Sequence, residues 1–98
     1  MKKILILIII TAYVQKQSPA QLEGQGRIDS LLIELPKANE DTNKVKLLID
    51  LSHTYYSINP DEGLNFGKQG LALAEKLNWK KGTGNACRTI AGNYGYGI

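Results

Sequence analysis

Ninety-eight residues suffice for one small domain, and the formal charge of +3 comes from the amino-terminal end of the chain. Of 12 basic side chains, Lys2, Lys3 and Lys16 fall within residues 1–20, and taking those three from twelve leaves nine against all 9 acidic ones, so the remainder is formally neutral and carries no nucleic-acid-binding stripe. One cysteine excludes an internal disulfide framework, and one histidine with that cysteine is too few for a Cys/His zinc site.

The first segment, MKKILILIIITAYVQKQSPAQ, has the three parts of a secretory signal: a positive leader, an apolar run over 4–14, and Ser18-Pro19-Ala20 as a small-residue site for cleavage after Ala20. A retained anchor is the rival reading, but a spanning helix takes about 20 apolar residues and this run is half as long. The expectation is an exported, periplasmic bacterial protein that meets a membrane only through this signal or a downstream segment. Residues 21–40 read as a linker, flexible over QLEGQG, with a short amphipathic helix at 27–35 built on Ile28, Leu31, Leu32 and Leu35 and ended by Pro36.

From 42 to 57 the sequence TNKVKLLIDLSHTYYS sets Val45, Leu48, Leu51 and Tyr55 on one helical stripe, with Asp41 or Thr42 as the cap. Asn59-Pro60 stops that helix and starts another, because proline suits a first helical turn, and Asp61 and Glu62 then complement the helix dipole. The second helix is expected to reach about Leu77, with Lys76, Lys80 and Lys81 near its carboxyl end. A third pattern begins near Gly82 or Thr83 and runs on without a stop signal.

A shift of 39 residues lays Leu48, Leu51, Ser52 and Tyr55 on Cys87, Ile90, Ala91 and Tyr94. Both sets resemble the first helix of a tetratricopeptide repeat, W-x2-L-G-x2-Y, with Leu48 and Cys87 in place of the tryptophan. In the second helix Gly63 and Gly70 stand at the small positions, Phe66 falls one residue before the expected aromatic, and no proline closes the repeat. The resemblance implies an all-α fold: antiparallel hairpins of a solenoid, preceded by the signal-peptide helix. It covers residues 41–98, a first repeat over 41–79 and a truncated second from about 80, one and a half repeats in all. Cys87 and Tyr94 are then expected in the core. Arrays of this kind need about three repeats to cover their apolar faces, so the chain is expected to be marginal alone or to self-associate through its open end.

The layout of export signal, short helix and EDTNKVKLLIDLS…INPDEGLNFGKQGLALAEKLNWKKG is also similar to the front end of bacterial sensors. In those proteins a periplasmic tetratricopeptide array precedes a histidine kinase, a nucleotide cyclase or a helix-turn-helix regulator. That resemblance implies a protein–protein interaction scaffold in signal transduction, here as an amino-terminal fragment. A stand-alone envelope adaptor is the alternative, and a piece of a kinase or cyclase is a third reading.

Nothing in the sequence has the spacing of a catalytic constellation. His53 has no histidine or cysteine three or four residues away, the ED and DE pairs sit at helix starts where caps belong, and Gly82-Thr83-Gly84 lacks the third glycine of a phosphate-binding turn. No enzymatic activity, cofactor or metal is expected, and the partner is a protein or peptide rather than nucleic acid. In tetratricopeptide arrays the first helices line a concave groove. Here its floor would be Lys46, Ile49, His53 and Tyr56, joined by Asn85 and Arg88 of the next helix, with a plainly solvated or intramolecularly packed face as the alternative. Gly63, Gly67 and Gly70 are costly in a helix unless close packing needs them. They are expected to form a packing seam together with Leu51, Tyr55, Ile90 and Tyr94.

Overall fold

The computed structural model describes residues 19–96, so most of the expected export signal lies outside the described residues. What is described is all-helical, without a strand: α1 Pro19–Glu34, α2 Thr42–Thr54, α3 Pro60–Lys76 and α4 Lys80–Tyr96, with 3-10 turns at Leu35–Lys37 and Tyr55–Ser57. None of these helices is long and apolar enough to cross a membrane.

The first helix departs from expectation. Instead of a flexible QLEGQG and a helix over 27–35, helix runs from Pro19 through both Gly24 and Gly26. Tertiary packing overrides the poor propensity: Ile28 and Leu31 are buried against Leu51 of α2, and Gly24 lies so close to Ile58 that a Cβ there would sit 2.8 Å from the Ile58 Cδ1.

The next two helices begin where their caps are. The Asp41 carboxylate accepts from the backbone N–H groups of Asn43 and Lys44 at 2.9 and 3.4 Å, and the Asn59 side-chain oxygen accepts from that of Glu62 at 3.3 Å. Pro60 occupies the first turn of α3, with Asp61 and Glu62 beside it. At the other end Asn78 takes a left-handed conformation, φ 54°. The Trp79 N–H then donates to the Ala74 carbonyl at 2.9 Å and the Asn78 N–H to that of Glu75 at 3.0 Å. This pairing closes off a helix in the Schellman manner. Lys80 and Lys81, expected in the connection near the carboxyl end of α3, therefore open α4 instead.

Successive helices run antiparallel: Gly24 meets Ile58, Ser52 meets Gly63 while Leu48 meets Gly70, and Gly63 meets Asn93 while Gly67 meets Ile90. The core has two parts, Val45 and Leu48 with Leu73 and Ala74, and Leu51 with Ile28 and Leu31. Phe66 touches both and stacks on Tyr55, ring centroids 5.7 Å apart.

Gly63, Gly67 and Gly70 are all buried on the face of α3 that meets α2 and α4. At Gly63 the approach is closest: a Cβ would stand 2.3 Å from the Asn93 Oδ1 and 3.0 Å from the Ser52 carbonyl. A buried polar link crosses here. The Ser52 hydroxyl donates to the Gly63 carbonyl, and the Asn93 Nδ2 donates to the Ser52 carbonyl at 3.2 Å and to the Thr89 carbonyl at 3.0 Å.

In α4 the expected packing register is corrected. Its buried residues are Gly82, Ala86 and Asn93, whereas Cys87 and Ala91 are exposed and Tyr94 is 54% exposed. Leu51 is buried by α1 and Leu48 by α3, but among the described residues α4 packs chiefly on α2, α3 and the Tyr55–Ser57 turn, so it buries the face turned toward them. Ile90, half-buried against Gly67, remains in the packing, and Cys87 and Tyr94 turn away.

Candidate partner-binding groove

The groove forms where α2 and α4, both packed on α3, leave a channel between their free faces. Residues of α2 at 46, 49, 50 and 53 follow steps of three, one and three, which keeps them beside one another on a helix, on the face flanking the buried stripe of Val45, Leu48 and Ser52. Lys46, Ile49, His53, Asn85 and Arg88, all expected as groove residues, line one concavity of about 560 Å³. Tyr56 does not line it. It borders an adjoining hollow of about 250 Å³ that shares His53, Arg88 and Thr89 and has Gly92 and Asn93 as further walls.

Four residues that sequence reasoning left out complete the main concavity: Asp50, Trp79, Lys81 and Thr89. Trp79 is the most consequential. It sits in the connection after α3, held there by the turn at Asn78, and its ring lies against Gly82, where a Cβ would come within 2.3 Å of the Trp79 Cε3. Gly82 thus lets the only tryptophan lie flat at one end of the groove. The Lys46 ammonium stands 6.0 Å from the ring centroid, at the outer range of a cation–π contact. No signal in the sequence placed Trp79 there, because its approach to the groove depends on the turn at Asn78 and the packing of α4.

Asp50 is the one carboxylate in the groove wall, and it is engaged from behind. Arg27 of α1 grips it with both arms of the guanidinium, Nε to Oδ1 at 3.3 Å and Nη2 to Oδ2. Lys46, Lys81 and Arg88 have no ion pair among the described residues, where the paired lysines are Lys44 and Lys76, both on Glu40. No group of three His, Cys, Asp or Glu side chains among the described residues is placed to hold a metal ion.

One titration shift stands at the turn after α2, in the part of the core that α1 covers. The Tyr55 phenol is raised above its ordinary 10.0, first because burial disfavours the anion and then because Glu62 and Asp29 add negative charge nearby. It stays protonated across the physiological range and acts as packing against Phe66.

Comparison with known proteins finds no family model, no curated protein and no solved structure that matches this chain.

Proposed function

We propose that this chain is a protein-interaction module of the tetratricopeptide type, which holds an extended segment of a partner in the channel between α2 and α4. One observation carries the reading: five of the six residues that the tetratricopeptide resemblance implies for such a groove line a single concavity of about 560 Å³, within the ~300–1,000 Å³ usual for ligand sites. The antiparallel α2–α3 hairpin followed by α4 supports it, as does the small-residue seam that brings the helices close. The leader-like first segment and the sensor-like layout support a wider role, as the exported sensory or scaffolding end of a bacterial signalling protein.

Selection of decapeptides on the full chain from a random display library tests the groove, with Trp79 fluorescence as the reporter because the ring lies in the wall. A combined Lys46→Ala, His53→Ala, Arg88→Ala variant is expected to weaken the selected peptides at least about tenfold, since the contacts that set peptide affinity would be gone. Unchanged affinity in that variant would refute the groove.

A further inference from the structure

We propose that the segment this groove takes is acidic, with carboxylates meeting Lys46, Lys81 and Arg88 and one apolar side chain laid on Ile49 and Trp79. The inference rests on the groove reading and adds the chemistry of the partner. Residues 19–96 carry nine basic and nine acidic side chains, yet three of those nine cations meet in one concavity with a single acid. The acid is also spent. Arg27 holds both Asp50 oxygens from the α1 side, which leaves the groove wall positive.

The opposite face of the hairpin shows the contrast. A hollow of about 300 Å³ lined by Lys44 and Lys76 also contains Glu40, which pairs with both lysines. Both lysines there have an acid partner within the protein, whereas Lys46, Lys81 and Arg88 in the groove have none among the described residues.

A second, independent sign lies in the first turn of α4. Lysines there face the positive end of the helix dipole, an arrangement helices avoid, and α4 has no acidic residue in that turn while α3 has Asp61 and Glu62. Lys81 therefore sits where folding alone disfavours it and where a bound carboxylate would relieve it. Arg88 can present a fork to a carboxylate in two parallel hydrogen bonds, and Ile49 and Trp79 supply apolar surface between the cations. Single-stranded nucleic acid fits less well, because stacking platforms for successive bases are needed and the groove offers one ring, which is itself packed on Gly82.

The test uses the full chain and peptides selected on it from the random library. Selected sequences are expected to be rich in Asp and Glu. Replacing their carboxylates with amides should raise the dissociation constant at least about tenfold, and the affinity should fall several-fold on raising salt from about 50 to about 500 mM. Lys81→Ala and Arg88→Ala should each weaken binding about two- to fivefold. Arg27→Gln, which touches no peptide but releases the Asp50 charge into the wall, should do the same. An amide peptide that binds as tightly as its acidic counterpart, yet is lost in Ile49→Asp, would overturn the acidic partner and leave the groove standing. A library that yields no binder overturns both. A single-stranded oligonucleotide that displaces the peptide at equal concentration also overturns the acidic-segment proposal.

Discussion

Adding one methyl group at four different glycines should sort them by what each faces. At Gly84, where nothing lies within 4 Å of the new Cβ, alanine should stabilise the chain by the helix-propensity difference alone, about 0.5–1 kcal/mol. At Gly70 the new atom would meet the Leu48 Cβ at 3.3 Å, a contact that small adjustments absorb, so gain and cost nearly cancel. At Gly67 the Ser52 Oγ at 2.8 Å and the Ile90 Cγ1 at 2.9 Å must move, but both belong to side chains, and a net loss of about 1 kcal/mol follows. At Gly63 the atoms are the Asn93 Oδ1 at 2.3 Å, its Cγ at 2.9 Å and the Ser52 carbonyl at 3.0 Å. One is backbone and the others belong to a fully buried amide whose hydrogen bonds hold α4 to α2. Overpacking of about 1–3 kcal/mol, together with about 1–3 kcal/mol for a displaced buried amide, exceeds the propensity gain and leaves a net loss of about 2 kcal/mol. For a domain of this size each kcal/mol moves the midpoint by about 4–8 °C. Thermal and urea unfolding followed by circular dichroism should therefore place Gly84→Ala above the wild type, Gly70→Ala beside it, and Gly67→Ala and then Gly63→Ala below. A Gly63→Ala chain as stable as Gly84→Ala would refute the packing account of the seam. On the same reasoning Gly67→Leu should be far more damaging than Lys68→Leu on the exposed face.

Two further expectations concern the end of α3 and the turn after α2. Asn78→Gly should raise stability by up to about 1 kcal/mol and Asn78→Val should lower it by about 1–2 kcal/mol, because the left-handed conformation penalises a β-branched residue most; urea midpoints check both. For Tyr55 the folded state keeps a proton that the unfolded chain releases near pH 10.0, so its stabilisation is complete below that pH and is lost as pH rises through the higher folded value. Tyr55→Phe should therefore flatten the alkaline limb of a stability–pH profile, and an unchanged limb would show that the phenol contributes nothing to it.

Much of the fold was legible where local chemistry decides. Asp41 and Asn59-Pro60 are short-range signals whose physics is complete within four residues, and the helices start beside them. The stripe of Val45, Leu48 and Leu51 needed only the helical period, and it is buried. The first helix was under-read because its glycines argue against helix locally, while the stabilising contacts come from Ile58 and Leu51, more than twenty residues away. Cys87 and Tyr94 were misplaced for a related reason: the same motif was laid on α2 and α4, but burial depends on what stands opposite, and α4 has neighbours on one side only among the described residues.

The groove divides along the same line. Helical spacing brought Lys46, Ile49 and His53 to one face without any tertiary information, because i, i+3 and i+7 must share a face. Trp79, Lys81 and Asp50 could not be placed that way. Trp79 and Lys81 reach the groove only because the left-handed turn at Asn78 folds α4 back along α3, and the state of Asp50 depends on Arg27, 23 residues earlier on another helix. Sequence alone thus determined where α2 and α3 start and which face of α2 is apolar, since those are properties of neighbouring residues. Tertiary structure decided which faces are covered and which charges are paired, since burial and ion pairing belong to groups that meet only after the chain has folded.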